Sequence, residues 1–402
     1  MEFSARHPSP SPTPARSLQL AYAVGVSERI SQSMAMLLIP LWALNLHSPP
    51  IVLGVDVAAP SLAPMVLAIP IGALADRLGA GRIVLWGSLV AAVATLFTAW
   101  VASPWTLALW QVFAGLGRSA AWIGAQALVT RPGQSKGGAG WLSLSAQIGN
   151  LSGPVAAGAL LTHFGIPVAF LCSSAGLWLV AGAALLIRLP EARLRPREKS
   201  SPLSDFQAAA HLMRHPGMRL VTVTTVVRLA LIALRASFYI VFLHRHHFAP
   251  LSIGILLGLA AGMSALFAVG AERLARRVPY RTLLLLGLSL MGASIALTPV
   301  DSHLAWQLAM MAFFGAGTGV SQPALIVLLA ESVPSQARGL AFGWRTAVNR
   351  LAQVASPMAL GALAGFLALP VLLTGFGLLS VLTLLGVGLI ARPDGRQTPL
   401  EG

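Results

Sequence analysis

Charged side chains stand inside segments that are otherwise apolar. Two are acids, Glu28 and Asp56, and six are arginines: Arg29, Arg118, Arg228, Arg235, Arg345 and Arg350. A charge at the centre of a bilayer costs at least about 2.5–3.5 kcal/mol, so such residues are expected to face a cavity and to have a partner. The surplus of positive charge must be satisfied by water, by backbone carbonyls or by an anionic ligand.

The two acids are candidates for carrying a proton. Glu28 stands about ten residues into its apolar run, or about 15 Å along a helix. Burial favours the protonated form of a carboxyl, whereas a nearby arginine favours the charged form, so one group can respond to both. We expect Glu28 to be the principal proton-coupling residue and Asp56 the second. Substrate and proton could then compete for one site, which is the simplest form of antiport.

The arginines are candidates for binding an anionic group. A guanidinium forms paired hydrogen bonds with a carboxylate or phosphate, and we expect Arg118, Arg228 and Arg235 to use them in this way. The alternative is that these arginines, and still more Arg29, Arg345 and Arg350, bond carbonyls or reach toward the membrane boundary. The further candidates for lining the same path are polar or aromatic: Gln32, Trp122, Gln126, Gln147, Asn150, Tyr239, Asn349 and Gln353.

The composition places these residues in a membrane protein. Of the 402 residues, 56% are hydrophobic and 10% are charged, whereas a soluble domain has about 25% charged residues. Runs of about 20 apolar residues are membrane-helix candidates. They predict an all-α protein with helices at 18–46, 51–74, 83–102, 105–129, 139–163, 166–189, 219–245, 250–270, 282–300, 304–330, 338–364 and 367–391.

Hydrophilic segments divide the chain and orient it. Residues 190–218 form a predicted cytoplasmic linker between six-helix bundles at 18–189 and 219–391, with a disordered cytoplasmic tail at 1–17 and a second tail at 392–402. If the termini are cytoplasmic, most Lys and Arg fall in cytoplasmic segments, which is the positive-inside pattern. This asymmetry explains the net charge of +15 without nucleic acid. It predicts a bacterial-type cytoplasmic (inner) membrane location.

The two halves repeat with an offset of about 200 residues. Leu74-Ala75-Asp76-Arg77 is echoed by Leu274-Ala275-Arg276-Arg277. Gly87, Gly115 and Gly117 are echoed by Gly287, Gly315 and Gly317. Two homologous bundles of this kind build a central site that opens alternately to each side of the membrane.

Two motifs contain small residues suited to gating. The connection after the second helix contains Gly72, Asp76, Arg77, Gly79 and Arg82, and its glycines permit a sharp turn. In the fifth helix, Gly149, Gly153 and Ala157 recur every four residues, so another helix can approach that face closely. Pro154 removes a backbone donor there, and Gly158 follows one turn later.

These motifs resemble those of the major facilitator superfamily. Gly72–Arg82 is similar to its signature loop, although Ala80 and Gly81 replace a basic pair. Gly140–Gly158 resembles the antiporter motif of its fifth helix, with Ala157 where glycine is preferred. In the fourth helix the family's arginine position holds Gln111, and Arg118 stands two turns further along the same face. The resemblance implies twelve transmembrane helices in two pseudo-symmetric bundles, a latch at the signature loop and a monomer.

The function implied by the resemblance is secondary active transport of the drug:proton antiporter type. We expect proton-coupled efflux of a small amphipathic, anionic solute or drug by alternating access, driven by the proton gradient without cofactor, metal or catalysis. The alternatives within transport are proton-symport uptake and flipping of an anionic lipid-linked molecule. An alternative from another class is a non-transporting membrane receptor or scaffold, which would have no reason to retain intramembrane charges. The sequence does not name the solute.

Overall fold

The computed structural model describes residues 15–130, 138–186, 216–334 and 337–390. Regular structure within these ranges is helical throughout, which confirms the all-α prediction. The predicted tails at 1–17 and 392–402 and the linker at 190–218 lie wholly or largely outside the described residues. The side chain of Asp76 also lies outside the description.

The helices follow one another with short connections. The first four are α1 (Ala15–Asn45), α2 (Pro50–Leu78), α3 (Ala80–Thr98) and α4 (Pro104–Val129). Gly138–Leu186 is broken at Gly165, whose φ of 81° and ψ of 176° are not helical, into α5 (138–164) and α6 (166–186). Helix α7 comprises Pro216–Leu234, a π-helical turn at Arg235–Tyr239 and Ile240–Arg245. The remaining helices are α8 (Pro250–Ala275), α9 (Tyr280–Leu297), α10 (Leu304–Glu331), α11 (Arg338–Ala364) and α12 (Leu369–Ile390).

Proline and glycine set several of the helix ends. Pro50, Pro104 and Pro250 each occupy a first helical position, where the missing N–H donor costs nothing. The turn of the signature-like loop is at Gly79, whose φ of 92° favours glycine. Gly72 lies within α2, inside the predicted helix at 51–74, and is not part of the turn because the helix continues to Leu78.

Eight helical stretches among the described residues are long and apolar enough to cross a membrane. Helices α1, α4 and α11 are outside that set. These three helices contain Glu28, Arg29, Arg118, Arg345 and Arg350, which lower their hydropathy. Polar residues at membrane depth are tolerated where a helix borders protein or a water-filled cavity rather than lipid.

Glycine contacts show the internal repeat in three dimensions. A Cβ placed on Gly87 of α3 would lie 2.8 Å from the carbonyl oxygen of Gly117 on α4. The equivalent Cβ on Gly287 of α9 would lie 2.9 Å from the carbonyl oxygen of Gly317 on α10. Corresponding helices of the two halves therefore pack through corresponding residues.

The halves meet along two seams, α2 with α11 and α5 with α8. At one end of each seam the backbones touch. A Cβ on Gly361 of α11 would lie 3.0 Å from the Cα of Gly54 on α2, and one on Gly158 of α5 would lie 2.9 Å from the Cα of Leu251 on α8. This end, which also contains the α1–α2 and α7–α8 connections, is called the closed end.

The same helices separate at their other end. Gly72, Gly140 and Gly343 stand eighteen residues from Gly54, Gly158 and Gly361 respectively, which is five turns and so the same helix face. A Cβ on any of the three would meet no atom within 4 Å. We call this the open end, and the space between the halves widens toward it.

Candidate functional site

Two adjoining cavities lie between the halves. The larger has a volume of about 500 Å³ and is lined by α1, α5, α7, α8, α10 and α11. The smaller has a volume of about 260 Å³ and is lined by α1, α2, α4, α7 and α11. Five residues border both cavities and mark the passage between them: Gln32, Met36, Leu229, Ile232 and Gln353. Together they form a space of the size used to bind small molecules.

Glu28 and Arg29 form an ion pair at the edge of the larger cavity. The Nε atom of Arg29 lies 3.2 Å from the Oε2 atom of Glu28, whose side chain is buried. An Nη1 N–H of Arg29 donates to Gln32 Oε1 at 2.6 Å, and the guanidinium lies 4.3 Å from the ring centroid of Trp122. Arg29 lines the cavity and is held by three partners, so its orientation is fixed before any ligand arrives.

Arg228 and Arg235 stand two turns apart on α7 and line the same cavity. The Nε–H of Arg228 donates to the Ser321 hydroxyl of α10 at 3.4 Å. The guanidinium of Arg235 lies 5.1 Å from the ring of Phe314 on α10, and its Nη2 lies 3.8 Å from Met36 Sδ on α1. Neither arginine forms an ion pair with a carboxylate of the described residues. Within the described ranges, these two cations therefore line the cavity in contact with a hydroxyl, a thioether and an aromatic ring, but with no carboxylate.

Arg118 lines the smaller cavity, whereas Arg228 and Arg235 line the larger one. Its side chain is buried, and an Nη2 N–H donates to the Thr95 hydroxyl on α3 at 3.4 Å. It also interacts electrostatically with Glu28. One carboxylate, Glu28, thus interacts with two guanidinium groups, Arg29 and Arg118.

Asp56 is buried in α2 without a polar partner. Its exposed fraction is 0%, and neither carboxyl oxygen forms a hydrogen bond with any described group. Its helix neighbours Val57 and Pro60 line the smaller cavity, although Asp56 itself does not. An unpaired carboxylate in such surroundings is very unfavourable, so this environment favours the neutral acid.

The other predicted binding residues divide into two groups. The larger cavity is lined by Gln32, Gln147, Asn150 and Gln353. Trp122 is not in its wall but stacks on Arg29, which is. Gln126, Tyr239 and Asn349 are absent from both cavity walls.

Tyr239 is instead buried in the core, and its hydroxyl has no partner among the described groups. Arg235 and Tyr239 are the first and last residues of one π-helical turn and interact electrostatically. Tyr239 therefore lies near Arg235, but not in either cavity wall.

The small residues predicted for gating lie where α5 packs between α1 and α8. A Cβ on Gly149 would lie 2.6 Å from the Cβ of Arg29, and one on Gly153 would lie 2.8 Å from the carbonyl oxygen of Ile30. Next to Gly153, Pro154 lines the larger cavity, and its carbonyl group borders Gly254 of α8. Gly158 packs at the closed end, as described above. The gating motif of α5 therefore contacts α1 on one side and α8 on the other.

The remaining gating candidates lie at the open end. Arg77 is exposed in the last turn of α2, Gly79 forms the turn, and Arg82 is in the first turn of α3. Gly72 lies on the α2 face that is separated from α11.

Sequence reasoning left the role of Arg29 open and missed Met36, Phe314 and Ser321. The signal for Arg29 was in the repeat, because Arg29 and Met36 precede Arg228 and Arg235 by the same 199 residues. Phe314 and Ser321 are ordinary residues of an apolar helix, and no spacing rule distinguishes them.

Two homologous helix bundles around a central cavity that is closed at one end define the class of protein. This is the architecture of secondary membrane transporters. Comparison with solved structures agrees with this class and extends over nearly the whole chain.

Three solved structures illustrate the likeness. The nucleoside transporter NupG has a TM-score of 0.77 and 14% identity, covering 94% of this chain and 100% of its own. A bacterial homolog of the human lysosomal transporter Spinster, inward-facing and unoccupied, has a TM-score of 0.72 and 18% identity, with coverage of 94% and 95%. The peptide transporter POT in complex with sulfate has a TM-score of 0.74 and 15% identity, with 94% of each chain covered. At these identities the likeness shows the fold alone.

The family model of the Major Facilitator Superfamily matches residues 21–357 and, in a second match, residues 221–401. The chain therefore belongs to the Major Facilitator Superfamily and is a membrane transporter. No curated protein matches its sequence.

Proposed function

We propose that this protein is a proton-coupled transporter that exports a small, amphipathic, anionic solute in exchange for protons. Its twelve helices cross a bacterial-type inner membrane with both termini in the cytoplasm, and it works as a monomer driven by the proton gradient. In this orientation the open end faces the cytoplasm, so the described conformation is inward-facing. An exported solute would reach the larger cavity from the cytoplasm.

The proposal of an anionic substrate is supported by the surroundings of Arg228 and Arg235. Both guanidinium groups face the larger cavity, where they contact a hydroxyl, a thioether and an aromatic ring. A carboxylate or phosphate would supply charge-assisted hydrogen bonds that are about twice as strong as those neutral contacts. The apolar part of the solute would lie in the smaller cavity, which is bordered by Ile39, Pro40 and Val57.

Proton coupling is assigned first to Glu28 and second to Asp56. Glu28 is buried beside the cavity and interacts with two arginines, so movement of either arginine changes how well its charge is stabilised. Asp56 is buried without partners and would hold a proton until water reaches it. The predicted latch at Asp76 and Arg77 would hold the halves together in the outward-open state.

A second candidate function is proton-symport uptake, and the Glu28–Arg29 pair favours it. If an anionic solute takes Arg29, then Glu28 loses its ion-pair partner at 3.2 Å. A carboxylate without its cation binds a proton more readily, so solute and proton would bind together. Symport requires that the solute and the proton bind together, whereas antiport requires that they compete for binding.

Proteoliposomes test both functions. Labelled-solute counterflow without a pH gradient establishes transport and identifies solutes from an anionic panel. A pH gradient then drives solute against the proton flow in antiport and with it in symport. Absence of counterflow for every anion, together with counterflow of a cationic analogue, would refute the anionic assignment.

A further inference from the structure

The part of the larger cavity nearer the open end contains more positive charge than a single carboxylate can balance. Arg235 on α7 contacts Met36 on α1, with Nη2 and Sδ 3.8 Å apart. Both helices run from the open end to the closed end. Arg228 and Arg29 stand seven residues before those contacting positions, so they share one depth, about 10 Å nearer the open end.

Arg29 and Arg228 therefore occupy equivalent places in the two halves and line the same cavity. Each is fixed by its own half, Arg29 by Gln32 and Trp122, and Arg228 by Ser321 on α10. A group bound between them would contact both bundles at once. Binding of such a group would favour the conformation in which the two bundles approach each other at the open end.

Two more arginines reinforce this layer from α11. Arg345 interacts electrostatically with Arg228, and Arg350 does so with Arg29. Like charges at close range repel one another, and Glu28 is the carboxylate that the described residues place in this layer. These arginines outnumber the single carboxylate, and a doubly charged ligand would balance the excess better than a singly charged one.

We propose that Arg29 and Arg228 form a clamp for a dianionic phosphoryl group, so that the solute is a phosphate monoester with an uncharged apolar body. The phosphoryl group lies in the Arg29–Arg228 layer. The body extends about two helical turns toward the closed end, past Met36, which borders both cavities, and into the smaller cavity. This inference rests on the proposed transport of an anionic solute, by antiport or by symport, and specifies the chemical class of that solute.

Guanidinium chemistry supports this choice of headgroup. Arginine presents a planar fork of donors that matches phosphate oxygens in pairs. A phosphate monoester carries close to two negative charges above its second pKa of about 6, and it has three strong acceptor oxygens. A carboxylate or sulfate ester has one charge and leaves part of the excess unbalanced.

The test compares three probes that share one ring: phenyl phosphate, phenyl sulfate and phenol. Binding to the full-length protein in lipid nanodiscs is measured by calorimetry at pH 8, where phenyl phosphate is a dianion. We expect phenyl phosphate to bind at least about tenfold more tightly than phenyl sulfate, with phenol weaker than both. At pH 5, where phenyl phosphate is a monoanion, this preference should shrink to about threefold or less.

Substitutions test whether the preference for phenyl phosphate over phenyl sulfate depends on the clamp. Arg228→Gln should reduce phenyl phosphate affinity at least about tenfold while changing phenyl sulfate affinity less, and Arg228→Lys should restore part of the loss. Arg273→Gln is the control, because it removes a positive charge from an exposed position near the end of α8. Equal affinities for phosphate and sulfate in the wild type, or an unchanged phosphate preference in Arg228→Gln, would overturn the clamp.

The proposed function fails in a different way. If phenyl phosphate binds as expected but no anion shows counterflow, the clamp stands and anion transport is refuted. If phenyl sulfate is transported as well as phenyl phosphate and Arg228→Gln has no effect on either, transport stands and the clamp is refuted.

Discussion

Replacement of Gly361 by valine should open the closed end. The closed end depends on backbone contact between α2 and α11, because a Cβ on Gly361 would lie 2.8 Å from the carbonyl oxygen of Pro50 and 3.0 Å from the Cα of Gly54. Both are backbone atoms, which cannot move aside as the end of a flexible side chain can. The two helices must separate to accommodate the added side chain.

The size of the effect follows from the cost of overpacking. Extra methyl groups in a tightly packed contact cost about 1–3 kcal/mol. This cost applies only to the conformation in which the closed end is closed, so it changes the ratio of the two conformations by roughly 5- to 150-fold. A chain that rests mainly in the described conformation would shift substantially toward the alternative, in which the open end closes.

Double electron–electron resonance between spin labels at positions 72 and 343 measures this change in the conformational ratio. A Cβ on either glycine would have no atom within 4 Å, so labels can be attached there without overlap. The natural Cys172 is exposed and must first be replaced by serine. We expect the label distance to shorten in the Gly361→Val protein.

Gly375→Val is the matched control. It adds the same side chain to a helical glycine that has open space around its Cβ, so the distance distribution should stay unchanged. If Gly361→Val folds and leaves the 72–343 distance as in the parent, then the closed end does not depend on this contact and the reasoning is wrong.

Three further substitutions test the charged groups and their supports. Glu28→Gln should abolish pH-driven transport while counterflow continues, whereas Glu272→Gln, at an exposed position of α8, should leave both intact; retained pH-driven transport in Glu28→Gln would remove its coupling role. Asp56→Asn should change the melting temperature by only a few degrees, because neither oxygen has a hydrogen-bond partner to lose; a large loss would reveal a partner and refute the description of an isolated acid. Trp122→Leu removes the aromatic face 4.3 Å from Arg29, at an expected cost of about 0.5–2 kcal/mol in anion binding, and calorimetry showing no loss would mean that the stacking does not orient Arg29.

The fold was accessible from the sequence because its signals are local. Apolar runs of helix length, prolines such as Pro104 and Pro250 at their starts, and the glycine repeat each depend on short-range rules. The predicted helix positions differ from the observed ones mainly at their ends. At the signature-like loop α2 continues through Gly72 to Leu78, beyond its predicted end at residue 74, because a glycine permits a turn without requiring one.

The site was only partly accessible. Arg228, Arg235 and Gln353 lie in the cavity wall, whereas Tyr239 is buried in the core. The π-helical turn that contains Arg235 and Tyr239 has no reliable sequence signature. The roles of Glu28 and Asp56 in proton transfer remain predictions.

The sequence by itself determined that this chain is an all-helical, two-fold repeated membrane protein with buried charges, because composition and periodicity act within each helix. Tertiary structure alone decided which charges meet. Arg29 is paired with Glu28 and stacked on Trp122 of α4, while Arg228 and Arg235 face the cavity with neutral partners from α1 and α10. The Glu28–Arg29 pair joins neighbours in sequence, but the contacts with Trp122, α1 and α10 depend on the rotation and depth of helices that are far apart in the chain, and no spacing within one helix encodes either quantity.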